Sequence, residues 1–209
     1  ELRREHLVQV AALAQVADVF VFTLGLTEGW IDRETGRTLA IAPGVIAGDY
    51  DPARYEFHNF TYDECHADLV KILRLLRGMN RDLRLLLTVS PVPLTATASG
   101  QHVLAATTYS KSVLRAAAGA MADKHKAVDY FPSYEIVTKW ASPEAAFAPN
   151  LRSVRPEMVE CVMEVFLIAQ GLLEPMGGEE DDAGPQVEKE ADGEDDVVCE
   201  EALLEALRK

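Results

Sequence analysis

The chain predicts an α/β fold in which a parallel sheet is layered with helices. Three observations carry this. Helical and strand-like patterns alternate along the first 173 residues, as layered α/β folds require. Three short apolar runs, at 19–24, 83–89 and 128–131, read as strands, the first buried on both faces of a parallel sheet. Loops rich in Gly, Ser, Thr and Pro follow the first two, where an α/β fold places functional groups.

The elements follow in order. Leu2, Leu7, Val10, Ala11, Leu13 and Ala14 repeat at helical spacing over 2–16, and Asp18 ends the pattern. After the first strand comes Gly25-Leu-Thr-Glu-Gly29, then a small hairpin from Trp30 to Ile41 with its turn at Thr35-Gly36. Residues 43–60 read as a long irregular loop. Thr61-Tyr-Asp-Glu64 is a capping box, with Thr61 as N-cap, and opens a helix to about Met79 that buries Leu69, Ile72, Leu73 and Leu76. Pro91 and Pro93 stop the second strand. A long helix over about 102–124 precedes the third strand. Pro132 or Ser133 opens a helix toward Trp140, 141–153 form a loop, and Pro156 starts a last helix reaching about Leu173.

Charge divides the chain at the same place as pattern. Of the net charge of −14, the segment from Glu174 to Lys209 carries 14 acidic and 3 basic residues, and the body is almost neutral. The segment 174–209 has too few large apolar residues to offset its ordering entropy, so it reads as a disordered acidic tail that could end in a short helix over 197–209; the alternative reading is a docking tail for an unidentified protein partner. A nucleic-acid partner needs a basic face, and the sequence offers none. No apolar run reaches the roughly 18–20 residues of a membrane span. Cys65, Cys161 and Cys199 are odd in number and widely spaced, which reads as free thiols in a reducing, cytoplasmic setting. Cys65 and His66 diverge on a helix, and no metal-ligand spacing or cofactor motif is present.

Four segments in fixed order carry a resemblance: Phe22-Thr-Leu-Gly-Leu-Thr-Glu-Gly-Trp30, Thr88-Val-Ser-Pro-Val92, Thr108-Tyr-Ser-Lys-Ser112 and Tyr130-Phe-Pro-Ser-Tyr-Glu-Ile136. Together, over about Leu2 to Leu173, they resemble the GSCFA domain, which is grouped with the SGNH/GDSL-like hydrolases. The resemblance implies a three-layer α/β/α, flavodoxin-like fold and an esterase or acyltransferase acting on a small-molecule or glycan ester, without a cofactor. It also implies a serine nucleophile in a Gly-Ser-Cys-Phe-Ala segment after a first strand. This sequence contains no such segment and no initiator Met, so the expectation is a partial domain whose N-terminal strand is missing, leaving a strand edge exposed. Where GDSL enzymes carry Gly-x-Asn-Asp the chain reads Gly25-Leu-Thr-Glu28, and where they carry Asp-x-x-His it reads Asn150-Leu-Arg-Ser153. A triad cannot be assembled from those positions.

The candidate catalytic residues are therefore His102, Ser110 and Lys111. His102 opens the long helix, where a helix N-terminus favours the neutral, proton-accepting imidazole; its ordinary reading is a cap. Ser110-Lys111 suggests Ser-Lys chemistry, although adjacency on a helix splays the two side chains. His58 is a further candidate base. The candidate binding residues are Gly25 and Thr27 in the loop after the first strand, Glu28 and Trp30 to contact a sugar hydroxyl and stack on a ring, Ser90 after the second strand, and Tyr134 and Glu135 at a helix start. The rival to an enzyme is a degenerate binding or scaffold protein that keeps the fold without the triad.

Overall fold

A computed structural model describes residues 2–46, 48–138 and 146–174. Trp140, the acidic tail beyond residue 174 and the helix expected at 197–209 lie outside them. The body holds helices α1 (Leu2–Val16), α2 (Tyr62–Met79), α3 (Val103–Lys124), α4 (Ser133–Thr138) and α5 (Pro156–Ala169). Its strands are β1 (Val19–Leu24), β2 (Glu28–Asp32), β3 (Arg37–Leu39), β4 (Tyr55–Asn59), β5 (Arg84–Val89) and β6 (Val128–Phe131). The class is α/β, as the alternation predicts: β1, β5 and β6 form a parallel sheet in the order β1-β5-β6. No helix among the described residues is long and apolar enough to cross a membrane.

Register assigns the two faces of this sheet. Phe20, Phe22 and Leu24 align with Leu85, Leu87 and Val89, and Leu85 and Leu87 align with Val128 and Tyr130. That face packs on Leu69, Leu73 and Leu76 of α2 and Leu114, Ala117, Ala118 and Met121 of α3, with Ala14 of α1 at the margin. On the other face Phe131 meets Phe166 of α5 edge to face at 5.2 Å. The sequence reading of β1 as buried on both faces needs correction. Val19 and Val21 are 45% and 51% exposed, because β1 is the edge strand and its second face has no covering layer among the described residues.

Local chemistry sets the ends of the elements. Thr61 caps α2 reciprocally with Glu64, as its capping box predicts, and Asn80 ends the helix. The long loop expected at 43–60 is also corrected, since its last third is strand β4. β4 pairs antiparallel with β2, whose other edge carries β3, giving a second three-stranded sheet. Asp32 closes the β2–β3 turn by accepting from the Glu34 amide and the Thr35 hydroxyl, and it is forked by Arg54 from the approach to β4. The Arg54 guanidinium, ahead of the turn donors, holds the Asp32 carboxyl down at about 2. Gly29 has little room for a side chain: an added Cβ would lie 3.0 Å from Thr38 Cγ2 and 3.3 Å from the Phe60 ring.

Two substitutions test this frame. Leu87, fully buried in the central strand, loses about 2–5 kcal/mol of stability when cut to alanine. Thr61→Ala removes the N-cap of α2 and costs about 1 kcal/mol. Urea unfolding with an unchanged slope reads both, and a Leu87→Ala loss under 1 kcal/mol would contradict the core assignment.

Candidate functional site

The carboxyl end of β1 opens into Gly25-Leu26-Thr27, and this loop is clamped to α3 by buried polar contacts. The Thr27 amide donates to Ser110 Oγ at 3.2 Å, and the Thr27 and Ser110 hydroxyl oxygens lie 2.6 Å apart. The Thr27 hydroxyl donates to Asn59 Oδ1 at 2.6 Å. Thr27 has one hydroxyl proton, and Asn59 takes it. Ser110 must therefore donate its own proton to Thr27 Oγ1 while accepting from the Thr27 amide. The direction of each bond is fixed, and the Asn59 amide nitrogen is left without a protein partner among the described residues.

Lys111 completes the clamp. Its Nζ donates to Gly25 O at 2.8 Å, and the residue is 1% exposed with no carboxylate in ion-pair range among the described residues. Burial lowers its pKa to about 8, since an ammonium without a counter-charge is the costlier form in a poorly solvated site. Lys111 also lines a cleft of about 550 Å³ with Arg115, Tyr134 and Glu135. There Glu135 accepts from Arg115 Nε and from the Tyr130 hydroxyl. Arg115 lies 4.1 Å over the Tyr130 ring. Burial, then the bond to Glu135, raises the Tyr130 hydroxyl far above its ordinary value.

The fold brings Gly25, Thr27, Ser110 and Lys111 together and engages the other candidates in contacts of their own. No hydrogen bond joins Ser110 to Lys111. His102 is the N-cap of α3, its Nδ1 accepting from the Leu104 amide at 3.3 Å. Glu28 Oε1 accepts from the Thr97 hydroxyl at 2.5 Å, and Thr97 continues to Ser99. Trp30 packs edge-on against Tyr50 and Phe57. Ser90 Oγ accepts from the Val92 amide within its own turn. Tyr134 packs on the core and Glu135 lies in the cleft. His58 Nε2 lies 2.9 Å from Glu64 Oε1, a carboxylate lowered chiefly by its bonds to Thr61. Asn150 and Ser153 bond each other in an exposed turn, with Leu151 at φ 53°.

Sequence reasoning did not single out Asn59 or Thr97. Asn59 enters the site only because β4 pairs with β2 and sets it opposite Glu28. The available signal was Tyr55-Glu-Phe-His-Asn59, whose alternating aromatics suit a half-buried strand.

An apolar cavity of about 170 Å³ adjoins the clamp between β1, α2 and α3. Phe22, Leu24, Leu26, Phe60, Leu69 and Leu114 form much of its wall, and Thr27 and Cys65 supply polar edges. Burial, ahead of nearby Asp68 and Glu64, pushes the Cys65 thiol up to about 11.

The clamp is testable through Lys111. Its folded-state pKa, about 8, lies below its ordinary 10.5. The burial penalty is thus fully present below pH 8 and is relieved as pH rises from 8 to 10.5. Cys65, raised in the fold, acts oppositely in that range, so the comparison is with Lys111→Met, which keeps Cys65. Wild type gains about 3 kcal/mol on Lys111→Met between pH 7.5 and 10.5, and parallel stability curves would refute a buried ammonium. Ser110→Ala leaves the Thr27 amide unpaired and costs about 1–3 kcal/mol, read by thermal unfolding.

No curated protein matches the chain, and no solved structure does. Residues 1–166 match the GSCFA family. With that match spanning most of the chain, and both sheets and the clamp inside it, the chain belongs to the GSCFA family.

Proposed function

We propose that this GSCFA protein is an SGNH-like ester hydrolase or acyltransferase acting on acylated small molecules or glycans, and that its site lies at the carboxyl end of β1. The observation that carries the reading is the clamped loop 25–27. It stands at the end of a parallel strand, where open α/β sheets place their ligands, and it is held by directed bonds that leave an amide donor unused. Preorganised donors of this kind stabilise the charge that develops on an ester carbonyl oxygen during acyl transfer.

Within this reading Ser110 and Lys111 position the loop. Ser110 Oγ is buried and its proton is committed to Thr27, so acting as nucleophile would break the clamp. Glu28, Trp30, Tyr134 and Glu135 supply polar and aromatic surface for the alcohol or sugar portion of the ester. The second reading, a binding protein without catalysis, is favoured by one observation: Ser110, Lys111 and His102 are each engaged in holding structure.

A fluorophosphonate probe separates the two. The native protein is expected to take the label on one hydroxyl, located by peptide mass spectrometry, and to hydrolyse p-nitrophenyl butyrate. A folded native sample that neither takes the label nor turns over the ester overturns the enzyme reading in favour of binding.

A further inference from the structure

We infer that the apolar cavity beneath β1 and the free amide of Asn59 form one acyl-binding site, which takes a chain of roughly six carbons and holds its carbonyl oxygen on Asn59 Nδ2. This rests on the ester reading for its biological meaning and on geometry for its existence.

Size and lining define the first half. The cavity, about 170 Å³ and open to solvent past the exposed Asp68, has room for a guest the size of benzene, which fills an engineered apolar cavity of about 150 Å³. Phe22, Leu24, Leu26, Leu69 and Leu114 offer no hydrogen bonds to water, so an apolar guest is favoured over solvent. Its carboxylate, Asp68, sits at an exposed position and takes the Lys71 ammonium at 2.9 Å. The Cys65 thiol stays neutral, with burial raising it to about 11. The wall therefore favours an uncharged chain over a charged or sugar-like group.

Thr27 joins the two halves, since it lines the cavity and its hydroxyl ends on Asn59. With Oδ1 occupied by Thr27, the remaining hydrogen-bonding capacity of Asn59 is its NH₂, a donor only. One hydrogen bond beyond Thr27, which lines the pocket, the group complementary to this donor is an acceptor: the carbonyl oxygen of an ester, thioester or amide. Asn59 comes from β4, where its register partner is Glu28 of β2.

The test uses two uncharged probes, benzene and 2-hexanone, the second a carbonyl acceptor with no donor of its own, followed by ¹³C-methyl NMR of Leu24, Leu69, Ile72 and Leu114 in the full chain. Both are expected to shift these methyls. Cys65→Phe and Ile72→Phe, two independent fillings from half-buried positions, are expected to abolish both effects. Asn59→Asp keeps an oxygen for Thr27 and removes the NH₂ donor. It is expected to weaken 2-hexanone about tenfold, the worth of one hydrogen bond, and to leave benzene binding unchanged. A merely structural Asn59 would leave the ratio of the two affinities unchanged in Asn59→Asp, and that result overturns its assignment. Failure of both probes to reach the methyls overturns the site as a whole. Binding without ester turnover in the native protein upholds this site and removes the hydrolase reading. Turnover without methyl shifts does the reverse.

Discussion

The lock between loop 25–27 and helix α3 is the constraint on which the rest of the site depends. Lys111 fixes the Gly25 carbonyl and Ser110 fixes the amide and the hydroxyl of Thr27. The chain leaves the parallel sheet at Leu24 and enters the second sheet at Glu28. Three residues therefore determine how one sheet leads into the other. Fixing Thr27 fixes the start of β2, and the β2 register then sets Asn59 opposite Glu28. Phe60 is tied in as well, because its amide donates to the Thr27 carbonyl at 2.9 Å.

This lock has an energetic cost. A buried ammonium held by a single carbonyl is more weakly compensated than one facing a carboxylate. An apolar side chain at 111 would pack without that penalty. It would not hold a carbonyl in place, and a loop whose backbone groups must point in set directions needs a donor there. Stability is lower so that the geometry is better defined, a pattern common where a site must be rigid before its ligand arrives.

How much of this was legible in the sequence differs by element. β1, β5, β6, α2 and α3 were readable because their signals are local: apolar runs, a capping box and a proline stop lie within each segment. β4 was not. Tyr55–Asn59 is short, mixes aromatic with polar residues, and becomes a strand by pairing with β2, whose nearest residue is more than twenty positions away. The exposure of Val19 and Val21 was hidden for a related reason. Apolar content shows that a strand suits burial, while its place at a sheet edge depends on strand order. In the site, Ser110 and Lys111 were visible as unusual residues on an apolar helix, and Gly25 and Thr27 as a loop after a strand. Their mutual contacts span more than eighty residues and no spacing rule reports them.

The polarity of the bonds decides what such a cluster can do. A serine that accepts from an amide and donates to a hydroxyl has its proton aimed inward, so abstraction by a base would have to compete with the clamp. The same commitment, followed one bond further, ends at Asn59 and turns a closed network into an open donor. Hydroxyls can reverse their role by rotating, and a chain of hydroxyls alone would leave the outermost group undecided. A side-chain amide cannot reverse without exchanging its two ends. Placing an asparagine last in the chain therefore gives the site a fixed sign, suited to a carbonyl oxygen and unsuited to a cation. An apolar guest in the cavity beside Thr27 would displace water from that side of the donor, and losing water strengthens the interaction the donor makes.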